Sequence, residues 1–427
     1  MSKTILMLGA FDTKGAEYAY LREQILARGH QVLAMNTGVM GSTTLFPVDV
    51  ESLEITLAAG KSLSELRAGQ DRGAAMRVMA EGAPLVVRRL YDAGRIDGAI
   101  GMGGTGGTSV IAPALQALPL GFPKVCVSTA AAGDVSRYVG TKDITMIPSV
   151  VDVAGINRIS RVILARAAGA VCGMAETVLP EAGGVERALI AASMFGNTTE
   201  CVNACVAALE KAGYEVLVFH ATGTGGRTME SLIDEGYITA CLDITTTEWA
   251  DEICGGVFSA GPDRLSAAGR RGIPHLIVPG CVDMANFGGR ETIPQHYLDA
   301  GRLFYEWNPS VTLMRTNVEE NIRMGEIFAR KAGEAQGPVA FLMPLRGVSI
   351  LDGDGERFCD RAADRAFYDA LCAHVPETVP VEEIDCNIND GAFAEKAVSM
   401  LLELIRQHEG RRYQGRTASG VWEIELE

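Results

Sequence analysis

Positive charge is in short supply in this chain. Against 53 Asp and Glu stand 38 Lys and Arg, a net charge of −15 at pH 7 over 427 residues. That balance repels nucleic acid and anionic membrane, so neither is expected as a partner. No apolar run approaches the roughly 18 residues of a membrane-spanning helix. The first residues enter a strand pattern at once, without the layout of a secretory signal. The ten cysteines contain no Cys-x-x-Cys pair. Cys126, Cys241 and Cys281 lie in apolar strand patterns, which points to reduced, buried thiols in a cytoplasmic protein. Cys201 and Cys205, four apart on a helix pattern, read as packing, because two ligands without partners build no structural zinc site. There is no HExxH, no GxSxG and no Ser-His-Asp order, so the ready-made hydrolase constellations are missing.

Glycine, by contrast, is plentiful at 49 residues, and its densest run is informative. Around Ile96, Ala99 and Ile100 an apolar strand pattern runs into Gly101, Gly103, Gly104, Thr105, Gly106, Gly107 and Thr108, then into a helix-like run from Ser109 to Leu118. A strand, a glycine loop and a helix N-terminus together hold an anion: the backbone comes close, free N–H groups point inward, and the helix dipole favours negative charge. No Gly-Lys-Ser/Thr occurs in the loop, so it is not a Walker A loop. Gly101, Gly103 and Gly106 match the dinucleotide spacing formally. The loop is not the first βα turn, however, and no acid follows about 20 residues later to hold a ribose. Phosphate or carboxylate is the expected guest.

The length predicts two or three domains, and the chain reads as written twice. Residues 4–41 and 188–225 match at one constant offset: Phe11 with Phe195, Gly29 with Gly213, Val32 with Val216, Leu33 with Leu217, Gly41 with Gly225. Each copy is strand, polar turn, amphipathic helix, glycine and strand, a βαβ opening. Two later echoes follow in the same order, residues 121–128 with 272–279 and residues 143–147 with 310–314. The expected fold is α/β: two related doubly wound, Rossmann-like parallel-sheet domains from an internal duplication, with an interdomain cleft. The domains are expected at residues 1–184 and 185–427, the second carrying a C-terminal extension, with the junction near 180–187.

Ligands of such sheets lie beyond the C-terminal strand ends, which selects the candidates. In the first copy these are Asp12, Thr13 and Lys14, beside the glycine loop of residues 103–108. Asp12 or Thr13 equally fits a cap on the next helix, with Glu17 completing a capping box. Arg137 and Lys142 are nearby cations suited to phosphate. In the second copy Thr224, Gly225, Gly226 and Arg227 form another glycine-threonine loop, read as substrate-binding, and Arg346 at a later strand end suits a carboxylate or phosphate. His220, Asp243 and Asp283 are the catalytic candidates, as general bases or, for the acids, metal ligands.

Seven segments, GGTGGT (103–108), ATGTGGRTMESLI (221–233), FSAGPDRLSAAGRRGIP (258–274), PGCVDMANFG (279–288), NPSVTLMRT (308–316), PLRGVSILD (344–352) and IDCNINDGAFA (384–394), together resemble one family. It comprises the ATP-binding N-terminal domain of the tomato tobamovirus-resistance protein and its bacterial homologues, and the resemblance spans roughly residues 3–408. It implies a two-domain α/β protein that binds ATP at the matching loop, Gly103 to Thr108, and forms a homodimer. On this basis the chain is expected to be an ATP-binding enzyme, with Mg²⁺ as a companion, acting on a small acidic metabolite in the cleft. Two alternatives stand beside it: a nucleotide-responsive binding protein without turnover, and a sugar-acid or keto-acid enzyme that does not use ATP.

Overall fold

A computed structural model describes residues 2–178 and 187–418. The chain divides into two compact units, Met1–Glu181 and Ala182–Glu427. The junction expected between residues 184 and 185 lies outside the described residues.

The first unit runs β1 (Thr4–Gly9), α1 (Phe11–Leu26), β2 (Gln31–Asn36), α2 (Ser52–Ala58), α3 (Leu63–Gly69), α4 (Arg72–Asp92), β3 (Gly98–Gly103), α5 (Thr105–Gln116), β4 (Lys124–Ser128), α6 (Ser136–Val139), β5 (Thr145–Pro148) and α7 (Arg158–Glu176). Its five strands are all parallel, in the order β2-β1-β3-β4-β5. β1, β3 and β4 are almost wholly apolar and buried because helices cover both sheet faces. One face packs Phe11, Tyr18 and Leu21 of α1 against Leu164 and Val171 of α7. The other packs Met79 and Val86 of α4 against Val110, Ile111 and Leu115 of α5. Each such side chain contributes about 1.5–3 kcal/mol by leaving water.

The second unit runs β6 (Leu189–Met194), α8 (Thr199–Lys211), β7 (Glu215–His220), α9 (Thr224–Asp234), β8 (Ala240–Thr245), α10 (Glu248–Cys254), α11 (Ala267–Arg271), β9 (His275–Gly280), β10 (Met284–Phe287), α12 (Gln295–Asp299), β11 (Phe304–Asn308), β12 (Val311–Arg315), α13 (Val318–Gly333), β13 (Val339–Pro344), α14 (Arg361–His374), β14 (Val381–Ile384) and α15 (Gly391–Ala418). Its six-stranded parallel sheet has the order β14-β13-β9-β8-β6-β7. Read from β7, this repeats the first unit's order strand for strand: β7-β6-β8-β9-β13 against β2-β1-β3-β4-β5. The α/β fold of two related, doubly wound parallel sheets is therefore present.

Two details depart from the sequence reading. A three-stranded antiparallel sheet, β10-β12-β11, is inserted after β9. The echo between residues 143–147 and 310–314 is not a structural match: β5 pairs with β4 in the main sheet, whereas β12 belongs to the insert, and β13 takes the place equivalent to β5. Short apolar strands look alike in sequence whichever sheet receives them. No helix of the described residues is long and apolar enough to cross a membrane.

Candidate functional site

In a sheet ordered β2-β1-β3-β4-β5, the chain winds one way from β1 and the other way from β3. The crevice at the carboxyl ends of β1 and β3 is thus the topological switch point. A cavity of about 900 Å³ opens there, lined entirely by first-unit residues. It brings together Asp12, Thr13 and Lys14 after β1 with Gly103, Gly104, Thr105, Gly106 and Gly107 after β3.

Tyr18 ties β1 to β3 beside Met102, which lines the cavity. Its buried hydroxyl lies 2.7 Å from the Leu8 carbonyl and 2.6 Å from the Met102 carbonyl, and it accepts from the Met102 N–H at 2.8 Å. It closes the backbone ladder where β1 and β3 part. Burial pushes its pKa far up, so it stays a neutral donor.

The glycine loop turns directly into α5. Gly104 is the N-cap and supplies no side-chain cap, so the N–H groups of the first turn face the cavity end of the helix. A Cβ on Gly103 would stand 2.9 Å from the Cα of Gly107, closer than backbone tolerates. Thr108 does not line the cavity. Its hydroxyl bonds the Gly104 carbonyl at 2.9 Å and the Ser128 hydroxyl at 2.6 Å, which fixes the loop to the end of β4.

Asp12 and Thr13 do not cap α1, whose N-cap is Ala10 without a side-chain bond. Asp12 Oδ2 accepts from the Met40 N–H at 3.1 Å, while its buried Oδ1 has no partner. Glu17 accepts from the Gly155 N–H at 2.6 Å instead of completing a capping box. Lys14 donates to the Val153 carbonyl. Asn36 at the end of β2 is fully engaged: its Oδ1 accepts from Phe11 and Gly38 N–H, and its Nδ2 donates to Gly41 O and to Glu51 Oε2. The acid beside it, Glu51, is tied to Asn36 and to the Ser42 hydroxyl and does not line the cavity. The lining also has an apolar share, with Val39, Leu66, Met76, Met79 and Val110. Arg137 stacks on Tyr138 and does not line the cavity, nor does Lys142. The cation that reaches the loop is Arg72 of α4, which the sequence reading missed. It sits about 30 residues upstream in a helical insert, and only the fold brings it close.

The second unit's glycine-threonine loop is already filled. Glu248 Oε1 accepts from the N–H groups of Gly223 at 2.7 Å and Gly226 at 3.1 Å, at the N-terminus of α9. Gly223 (φ 78°) adopts a backbone that favours glycine. Arg227 donates to the Ser259 carbonyl and to Thr224 Oγ1. The loop of Thr224, Gly225, Gly226 and Arg227 thus receives the chain's own carboxylate, on the amides of Gly223 and Gly226, rather than forming an open substrate subsite. Nor is this loop the topological equivalent of residues 103–108. It follows β7, the counterpart of β2; the true counterpart follows β8, at Thr245, Thr246, Thr247 and Glu248. There the switch point is shut, with the hydroxyls of Thr198 and Thr245 bonded to each other at 2.7 Å.

The catalytic candidates are not assembled. Asp243 is fully buried and pairs with both Arg264 and His275. Burial alone would raise its pKa; Arg264 and His275 overcome that and hold it well below the usual carboxylate range. Arg264, itself buried, also grips Glu248 at 2.6 Å and Glu230 at 3.2 Å. Cys241, Asp243 and His275 offer ligand atoms within 4.8 Å of one another, but the Arg264 guanidinium already supplies the cation on Asp243. Asp283 is buried, accepts from Ser349 Oγ at 2.8 Å and is pushed up by burial against the pull of Arg315. His220 is exposed, its ring tilted 5.5 Å from that of Phe195. The three share no hydrogen-bond partner among the described residues. Arg346 makes an exposed two-point pair with Asp385.

Comparison with known proteins agrees with the two-unit division. Residues 3–180 match the N-terminal domain and residues 187–405 the C-terminal domain of the uncharacterised protein family UPF0261. A UPF0261 protein of Clostridium tetani is 46% identical over 408 residues, covering 95% of this chain and all of that one. A UPF0261 protein of Rhizobium meliloti is 44% identical, covering 93% of this chain and 98% of that one. The ToMV resistance protein Tm-1(GCR237) of Solanum lycopersicum is 40% identical over 339 residues, 78% of this chain but 45% of the tomato protein. This chain belongs to the UPF0261 family.

Proposed function

We propose that this chain is an ATP-binding protein and that the first unit holds the nucleotide at its switch point. One observation carries the reading: the fold gathers an uncapped glycine-loop helix, the β1–α1 loop and apolar side chains around a single cavity of about 900 Å³. That volume falls within the ~300–1,000 Å³ typical of small-ligand sites. The amides at residues 105–107 suit phosphate oxygens, and the methionines of the lining suit a base. Asp12, with its unpartnered oxygen, is the wall carboxylate that a magnesium ion travelling with ATP would meet. The chemistry that ATP serves is action on a small acidic metabolite.

A second reading, nucleotide-responsive binding without turnover, is favoured by one observation. The buried acids with raised pKa values, Glu248, Asp251, Asp283 and Asp352, belong to the second unit, and none lines the cavity. Titration calorimetry of the full chain with ATP and Mg²⁺ tests binding: one site per chain is expected, and no heat up to millimolar ATP removes the proposal. ADP released beyond stoichiometry in the presence of a panel of carboxylic acids would select the enzyme.

A further inference from the structure

Two cationic side chains line the cavity, Lys14 and Arg72. Lys14 is already committed to the Val153 carbonyl. Arg72 is exposed and makes no hydrogen bond or ion pair with any described residue. Other arginines, such as Arg22, Arg95 and Arg166, are also unpaired among the described residues, but they do not line the cavity; Arg72 does.

Its position is set by the backbone. Gln70, the C-cap of α3, takes the left-handed conformation (φ 49°), and Asp71 caps α4 by accepting from the Ala74 N–H at 3.0 Å. That places Arg72 at the first position of a 21-residue helix. From there the guanidinium reaches the glycine loop: a Cβ built on Gly106 would lie 3.5 Å from Arg72 Nη2. The cavity's three acids are each tied to a backbone amide: Asp12 to Met40, Asp71 to Ala74 and Asp152 to Val153. Capping by the Ala74 and Gly73 amides holds Asp71 below the usual carboxylate range. None of the three is paired with Arg72.

Resting on the ATP reading, we infer that Arg72 is the residue that makes this site select a phosphate chain over a single phosphate. The first-turn amides of α5 form a cradle for one phosphoryl group, and they reach only that group. Arg72, beside Gly106, adds a permanent positive fork for the next phosphoryl group along the chain. A nucleoside monophosphate is held by the amides alone, whereas a di- or triphosphate is held by amides and fork together.

The test is titration calorimetry of ATP, ADP and AMP, each with Mg²⁺, on the full chain and on its Arg72→Ala and Arg72→Lys variants. The wild type should bind ATP at least about tenfold more tightly than AMP, since one charge-assisted contact of this kind is worth about that factor or more. R72A should lose about tenfold for ATP and ADP and less than about threefold for AMP. R72K, a point charge without the fork, should fall between. Equal losses for ATP and AMP, or no loss, overturn the assignment. Absence of binding by any nucleotide to the wild type overturns the ATP reading instead. Unchanged melting temperatures show that the fold survived; if R72A unfolds, the ATP-to-AMP ratio of R72K decides alone.

Discussion

Tyr18 shows how much one side chain can decide at the residue scale. Its hydroxyl replaces the ladder bond that β1 and β3 can no longer make to each other, and a Cβ on Gly9 would collide with it. Tyr18→Phe keeps the ring in the core but leaves the Met102 N–H and the Leu8 carbonyl buried and unpaired. The expected loss is about 1–3 kcal/mol of stability, read from urea unfolding; an unchanged midpoint would remove this role. No sequence pattern announces it. Tyr18 occupies an ordinary core position of an amphipathic helix, and its partners are backbone atoms, one of them 84 residues away. Asp12, Lys14 and the loop glycines were legible because strand-end position is itself a signal. Arg72 was not, because it rides on a helix inserted between β2 and β3.

At the scale of elements, α5 and α9 begin with nearly the same glycine-threonine text and meet opposite fates. α5 follows β3 and opens on a cavity; α9 follows β7 and receives Glu248. What separates them is the strand each one leaves, a matter of sheet order that sequence similarity between loops does not encode. The filled site rests on a buried network. Arg264 answers Asp243, Glu248 and Glu230 together, and Glu230 in turn accepts from the N–H groups of Leu265 and Ala267 at the start of α11. Removing one member of a buried charge cluster leaves the others uncompensated. Arg264→Ala is therefore expected to cost the second unit about 3–5 kcal/mol, measured by denaturant unfolding. A loss below about 1 kcal/mol, the worth of a surface pair, would show the network to be solvated. The duplication itself was readable from its βαβ opening, and its third echo failed because β12 is a strand of the inserted sheet.

For the whole molecule, the distribution of shifted carboxyls sets the pH response. Burial raises Asp251 to about 7 from its ordinary 3.8, and it raises Asp283 and Asp352 as well. A carboxyl raised on folding holds its proton more tightly in the native than in the unfolded state. Its contribution is complete below 3.8 and is lost as pH climbs toward 7. Carboxyls lowered on folding, such as Asp243 and Asp71, change stability below the ordinary carboxylate range and do not mask this window. The melting temperature should therefore fall as pH rises from about 4 to about 7; a flat or rising profile would mean that these acids ionise freely.

The two units share a strand order, yet the first keeps its switch point open and the second closes its own with the Thr198–Thr245 bond and Glu248. The central claim is that the open one holds ATP. The most direct measurement is amide hydrogen exchange of the full chain with and without saturating Mg-ATP. The account predicts slowed exchange in peptides spanning residues 103–108, whose first-turn amides gain phosphate acceptors, with no change at residues 222–227, where Glu248 is already bound. Protection at 222–227 instead, or at neither loop, would contradict it.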